Sequence, residues 1–125
     1  MTIVTAAIII KKNKVLIARR NAGSLSGFWE FPGGKIEQGE TVQECLAREL
    51  FEEFGVQAKV GEVFAESEYK YDHGTIKLIA LHAEIAETKL TSNAHDKVGW
   101  INPKDLLSFK LAPADIPIAE KIVDE

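Results

Sequence analysis

Residues 33–56 read GGKIEQGETVQECLARELFEEFGV, and this stretch decides the fold. Gly33-Gly34 and Gly39 open it, and apolar positions then recur at helical spacing until Gly55 ends the run. Thr41 stands three residues before Glu44, the spacing of a capping box, which predicts a helix starting near Val42. At ~100° per residue about the helix axis, with Glu49 as origin, Glu52 falls near −60° and Glu53 near +40°. The three carboxylates therefore leave one side of the helix. Leu46, Ala47, Leu50 and Phe54 fall between roughly 60° and 160°, a separate apolar stripe able to bury against a core. The acids sit at the edge of that stripe, where a cleft would open.

Like charges three and four residues apart on a helix repel. Arg48 can pair with Glu44 or Glu52 but cannot neutralise the whole cluster. One reading is a solvated acidic face. The other is a cradle for a hard divalent cation, which oxygen ligands bind and which would relieve the repulsion; magnesium is then the expected component.

Written as Gly34-x5-Glu40-x7-Arg48-Glu49-Leu50-x-Glu52-Glu53-x-Gly55-Val56, the stretch resembles a complete Nudix box, specified at nine positions over 23 residues. The flanks extend the likeness. Ala18-Arg19-Arg20 and Trp29-Glu30-Phe31-Pro32-Gly33-Gly34-Lys35 resemble the MutT branch of that family. Leu111-Ala112-Pro113-Ala114-Asp115-Ile116-Pro117 resembles the tail of its CTP pyrophosphohydrolase type. The resemblance implies an α/β/α sandwich, a mixed β-sheet with the Nudix helix on one face and a C-terminal helix on the other. It implies hydrolysis of a nucleoside triphosphate to the monophosphate and pyrophosphate, with removal of oxidised or non-standard nucleotides such as 8-oxo-dGTP as its purpose. A CTP or modified-dCTP enzyme is the alternative within the class. A nucleotide-binding sensor that has lost turnover is the alternative outside it.

Composition agrees with one compact domain over residues 1–125. The chain is 46% hydrophobic and 27% charged, which suffices for a single core. A net charge of −4 disfavours a general nucleic-acid-binding surface. The expected partner is a small nucleotide, bound through cations, with neither a nucleic-acid polymer nor a membrane involved, in a monomer or homodimer. Cys45, the one cysteine, cannot form an internal disulfide and is expected to be packing. Met1 to Ile10 lacks a basic leader and runs into Lys11-Lys12-Asn13-Lys14, so it reads as a strand, and a cytoplasmic location is expected.

Residues 3–10 and 15–18 form a hairpin pattern around the lysine turn, the first strand being apolar enough to bury on both faces. Asn21 to Gly27 is a small-residue loop expected at the mouth of a site. Phe28 to Phe31 makes a short strand. Beyond Gly55, Lys59 to Tyr71 and Thr75 to Ile85 flank an Asp72-His73-Gly74 turn, and a strand is expected over 98–101. A helical turn follows Pro103, and a terminal helix spans 113–123, with Pro117 either in its first turn or breaking it.

Cleaving a phosphoanhydride needs charge neutralisation, an in-line water and a stabilised leaving group, and metal ions assist all three. By resemblance, the Gly33 carbonyl and Glu49, Glu52 and Glu53 would ligate magnesium, with manganese able to substitute. Glu49 or Glu53 would orient or deprotonate the water, and Arg48 would hold the glutamates by salt bridge. Glu40 and Gly34 are expected to hold the loop against the helix. Arg19 (or Arg20), Phe31, Gly34, Lys35 and Asp115 are the candidate nucleotide contacts. One position departs from the MutT type: a loop glutamate six residues before Trp100 is replaced by Ala94, with His95 and Asp96 adjoining it. His73 and His82, Trp29 and Trp100 read as structural. Asp115 stands where MutT-type recognition of oxidised guanine uses an asparagine. Ionised, it only accepts hydrogen bonds and favours an exocyclic amine such as that of cytosine; buried and protonated, it regains a donor. Its other reading is an N-cap of the last helix.

Overall fold

The computed structural model describes residues 1–125. Two β-sheets lie between two helices. In the first, β6 (Gly74–Glu84) is central, pairing parallel with β1 (Thr2–Ile8) and antiparallel with β5 (Lys59–Tyr71). In the second, β3 (Lys14–Arg20) pairs antiparallel with β2 (Ile10–Lys11), β4 (Trp29–Glu30) and β7 (His95–Ile101). Thr5 to Ile9 are buried without a break, so this strand does face apolar layers on both sides. Alternation then divides the core. Ala6, Ile8, Val15 and Ile17 pack with Ile118, Ala119 and Ile122 of α2 (Ile116–Val123). Ala7, Ile9, Leu16 and Ala18 pack with Leu46, Leu50 and Phe54 of α1 (Val42–Phe54). The α/β/α sandwich is the one the sequence implied.

Helix α1 follows from local chemistry. Thr41 accepts the Glu44 amide and Glu44 accepts the Thr41 amide, a complete capping box. Gly55 stops the helix in the left-handed region at φ 69°, its amide bonding the Phe51 carbonyl. Cys45 is buried in the packed face of α1, as expected of a packing residue.

Three expectations change. The early hairpin is confined to Ile10↔Val15 and Lys11↔Lys14, because Lys12 and Asn13 both take positive φ in a two-residue turn. The longer part of the first strand pairs with β6 instead, in parallel register from Thr2↔Ile76 to Ile8↔His82. The expected strand over 98–101 starts earlier, at His95, because β7 pairs with β3 up to Arg20, across a bulge between Arg19 and Arg20. The single terminal helix is divided into a 3₁₀ turn, Pro113–Asp115, and α2, with Pro117 in the first turn of α2, where a missing amide costs little. No helix is long and apolar enough to cross a membrane.

Two seams place the functional loop. The Thr5 amide bonds the Gly34 carbonyl at 2.8 Å and the Ala7 amide bonds the Pro32 carbonyl at 2.7 Å. On the other side, Trp29 donates to Lys110 and accepts from Ala112, so the tail loop lies beside β4.

Candidate active site

A cleft of about 360 Å³ opens at the end of α1. Gly33, Gly34, Glu49 and Glu53 line one end, and Phe31, Tyr71, Leu78 and Asp115 line the other. Arg20 and Glu30 line the same cleft, and Ser24 and Leu25 bring the small-residue loop to its mouth, as expected.

At the acidic end, Arg48 is the organiser. Its Nε and Nη2 grip both oxygens of Glu40 at 2.6 and 3.0 Å, and Nη1 reaches Glu49 and Glu52 at 3.0 Å each. A further bond goes from Nη2 to the Lys35 carbonyl. These carboxylates push the guanidinium pKa up, and the bond to Arg48 holds the Glu40 carboxyl below its usual range. Glu40 also accepts the Glu37 amide, which fixes the loop before the helix. The expected roles of Arg48 and Glu40 have this geometry behind them.

Glu53 is the least comfortable group in the site. Its Oε1 is buried with no hydrogen-bond partner. Burial first, then the Glu30 and Glu49 charges, push its pKa up to about 8. An orphaned, buried carboxylate oxygen facing a second carboxylate is what a cation would satisfy. The Gly33 carbonyl takes none of the backbone hydrogen bonds around it, while those of Pro32 and Gly34 on either side are used. A side chain is excluded here: a Cβ on Gly34 would collide with the Glu49 carboxylate, and one on Gly33 with the Thr5 carbonyl. The donor set therefore fits a hard divalent ion held by Glu49, Glu53 and the Gly33 carbonyl.

Glu52 stands apart. Its side chain is 56% exposed, it is tied to Arg48, and it does not line the cleft. No three acidic, histidine or cysteine side chains converge as a closed metal cluster. Helical angle grouped Glu52 with the others, and its Oε1 meets the same Arg48 Nη1 as Glu49 Oε1. Glu49 and Glu53 line the cleft, which leaves coordination positions for Glu52, water and phosphate oxygens.

The other nucleotide candidates sort as clearly. Phe31, Gly34 and Lys35 line the cleft. Arg19 does not: it forms a two-bond ion pair with Asp96 at 2.8 and 2.9 Å, and Arg20 takes the cleft position. Asp96 is thereby paired with Arg19 and does not line the cleft. Asp115 is 5% exposed and makes no side-chain cap to α2, so the N-cap reading is set aside. Its Oδ2 accepts the Phe31 amide at 2.9 Å, and burial together with the Glu30 charge pushes its pKa well up. Tyr71 steadies the same loop by accepting the Ala114 amide and stacks on His73, which lines the cleft rather than only capping a turn.

Sequence reasoning missed Glu30. Its side chain sits between the two ends of the cleft, contacted by Arg20 at 3.3 and 3.4 Å and by His95 at 2.8 Å. The signal that could have found it was a charged residue alternating with Trp29 and Phe31 in a short strand, a charge set among residues that point inward.

With this geometry in place, comparison with known proteins is direct. A family model for the NUDIX domain matches residues 1–122. The chain belongs to the NUDIX domain family, whose hydrolases act on phosphoanhydride bonds with a divalent metal. It is 42% identical to the CTP pyrophosphohydrolase of Escherichia coli K12 over 94% of this chain and 87% of that one. It is 31% identical to the 8-oxo-dGTP diphosphatase of the same strain, over 90% of this chain and 88% of that one. Among solved structures, the solution structure of the E. coli ORF135 protein superposes with a TM-score of 0.82 at 40% identity, covering 96% of this chain and 86% of that one.

Proposed function

We propose that this chain is a magnesium-dependent pyrophosphohydrolase (manganese substituting) that converts a non-standard or damaged nucleoside triphosphate to the monophosphate and pyrophosphate, with cytosine nucleotides preferred. Glu49, Glu53 and the Gly33 carbonyl would hold the ion, which supplies charge neutralisation on the phosphates and a more acidic water. Arg48 keeps Glu49 in line. Glu49 or Glu53 would also orient the attacking water or accept its proton. Water adds its oxygen to phosphorus, the P–O–P link breaks, and pyrophosphate leaves. Phe31, Tyr71 and Leu78 offer an apolar wall to the base, and Lys35 and Arg20 offer positive charge to phosphate.

The observation that carries the base preference is the Asp115–Glu30 pair. A raised pKa leaves Asp115 a proton to donate, and its Oδ1 takes no hydrogen bond from the protein. Glu30, held by Arg20, is an acceptor beside it. Donor next to acceptor matches the pairing edge of cytosine, where a bare ring nitrogen adjoins the exocyclic amine. It also matches the edge of 8-oxoguanine on which a carbonyl oxygen adjoins a protonated ring nitrogen, which is the second reading. The full-length likeness to a CTP pyrophosphohydrolase supports the first.

The test is a product assay with magnesium over CTP, dCTP, 5-substituted dCTP, 8-oxo-dGTP and dGTP. Monophosphate and pyrophosphate, with the highest kcat/KM on a cytosine nucleotide, is the expected result. A preference for 8-oxo-dGTP reverses the base assignment. Tight binding of one nucleotide with no turnover makes the chain a sensor.

A further inference from the structure

The loop that carries Ala94 is fastened at both ends of the site. Asn93 donates from its side chain to the Glu52 carbonyl at 2.9 Å and from its backbone to the Glu53 carbonyl at 3.2 Å, closing the end of α1. His95 stacks on Phe54 of the same helix with ring centroids 5.6 Å apart. Its side chain is only 1% exposed, yet both ring nitrogens are engaged. Nδ1 meets the Ser92 hydroxyl at 2.7 Å, and Nε2 meets Glu30 Oε2 at 2.8 Å.

The direction of these bonds follows from the partners. The Glu30 carboxylate only accepts, so His95 Nε2 carries a proton and donates to it. In the neutral ring Nδ1 then accepts from Ser92 Oγ, which itself accepts the Ala94 amide at 3.1 Å, and Glu30 accepts from Arg20 as well. A chain of donors thus runs from the Ala94 amide through Ser92 and His95 and ends on the Glu30 carboxylate. Oε1 of Glu30 has only the 3.3 Å contact from Arg20, so acceptor capacity is left toward the cleft.

We propose that His95 is a positioning residue that fixes the Glu30 carboxylate in the cleft wall, so that the loop lacking a carboxylate at Ala94 organises the site by holding one supplied from β4. The proposal rests on the reading of the cleft as a nucleotide site. His95 itself touches neither the water nor the phosphates. Its effect passes through Glu30, and through Phe54 it keeps that carboxylate in register with the end of α1.

The test compares H95Q, H95N and H95L, alone and combined with E30Q, by kcat and KM on the preferred nucleotide, with Tm alongside. Glutamine can place an N–H donor where Nε2 stands; asparagine reaches Ser92 but not Glu30. Loss of a hydrogen bond to a charged group predicts about a tenfold or greater fall in kcat/KM for H95N and H95L. H95Q should recover most of it, and H95L should add nothing in an E30Q background. Equal activity of H95Q and H95N, or multiplicative losses with E30Q, overturns the proposal whatever happens to Tm. Should H95L not fold, the H95Q and H95N pair decides. If the wild type turns over no nucleotide, the function reading fails separately. Nitrogen-15 NMR of His95 then judges the positioning: an Nε2–H tautomer whose signal moves in E30Q sustains it, and an Nδ1–H tautomer ends it.

Discussion

The Asp115 carboxyl accepts the Phe31 amide at 2.9 Å across 84 residues of chain. Phe31 leads directly into Pro32-Gly33-Gly34, so this bond joins the tail loop to the turn that borders the acidic end of the cleft. The carboxyl proposed to read the base and the carbonyl proposed to face the ion share one anchor, two residues before Gly33.

Replacing Asp115 by asparagine keeps the acceptor for Phe31 and supplies a donor that no longer depends on a proton. D115N should therefore keep the wild type's order of preference at neutral pH, with relative kcat/KM changed by less than about threefold. It should also flatten the drift of that preference with rising pH, which in the wild type follows loss of the Asp115 proton. A wild-type preference that does not drift with pH would remove Asp115 from base recognition.

Glu53 links the site to stability. An acid whose native pKa is raised to about 8 holds its proton longer in the folded state than in the unfolded one. Metal-free stability should therefore be greatest below the ordinary carboxylate range and fall as pH rises toward 8 and just beyond. Thermal melts between pH 5 and 9 should show Tm declining by several degrees, and magnesium should restore it at the alkaline end. E53Q should flatten the profile and remove magnesium-dependent hydrolysis while the fold persists. Full activity in E53Q would refute the assignment.

The paired glycines separate folding from chemistry. G34A drives a methyl into the Glu49 carboxylate, a movable side chain, so kcat should fall about 100-fold with a modest loss of Tm. G33A drives one into the backbone of Thr5 in the buried strand, so stability should fall by about 1–3 kcal/mol or more. Parallel melts and kinetics on the two variants check the contrast.

Arg48 tests whether one guanidinium sets the geometry of the glutamates. Lysine cannot grip both oxygens of Glu40 while reaching Glu49. R48K should cost about 10–100-fold in kcat or in magnesium affinity. A magnesium titration of the rate separates the two.

Much of α1 was legible because its signals are local: a capping box, a left-handed glycine and an apolar stripe all lie within the chain segment they control. The partner of β1 was not, since its pairing with β6 joins residues 74 positions apart, Thr2 with Ile76, and leaves no mark in either strand's periodicity. The same limit governs the site. Helical angle put Glu49, Glu52 and Glu53 on one side, but the edge at which the cleft opens is decided by β4 and the tail loop, and of the three only Glu49 and Glu53 line it. Arg19 and Arg20 were equivalent on paper; a bulge opposite them sends one outward to Asp96 and the other into the cleft. Glu30 and His95 meet 65 residues apart, and only the folded sheet brings them together.

The seam between β1 and the glycine turn has a consequence for how this chain can change over time. Thr5 and Ala7 hold Gly34 and Pro32 by alternate amides, so the pleat of β1 chooses Gly33 as the residue whose carbonyl is left over. A one-residue insertion or deletion in β1 would exchange the used and unused carbonyls and aim the wrong atom at the ion. Side chains along Thr2–Ile8 can drift within the limits of packing. The length of that strand, and its phase against the turn, is the quantity selection must hold constant.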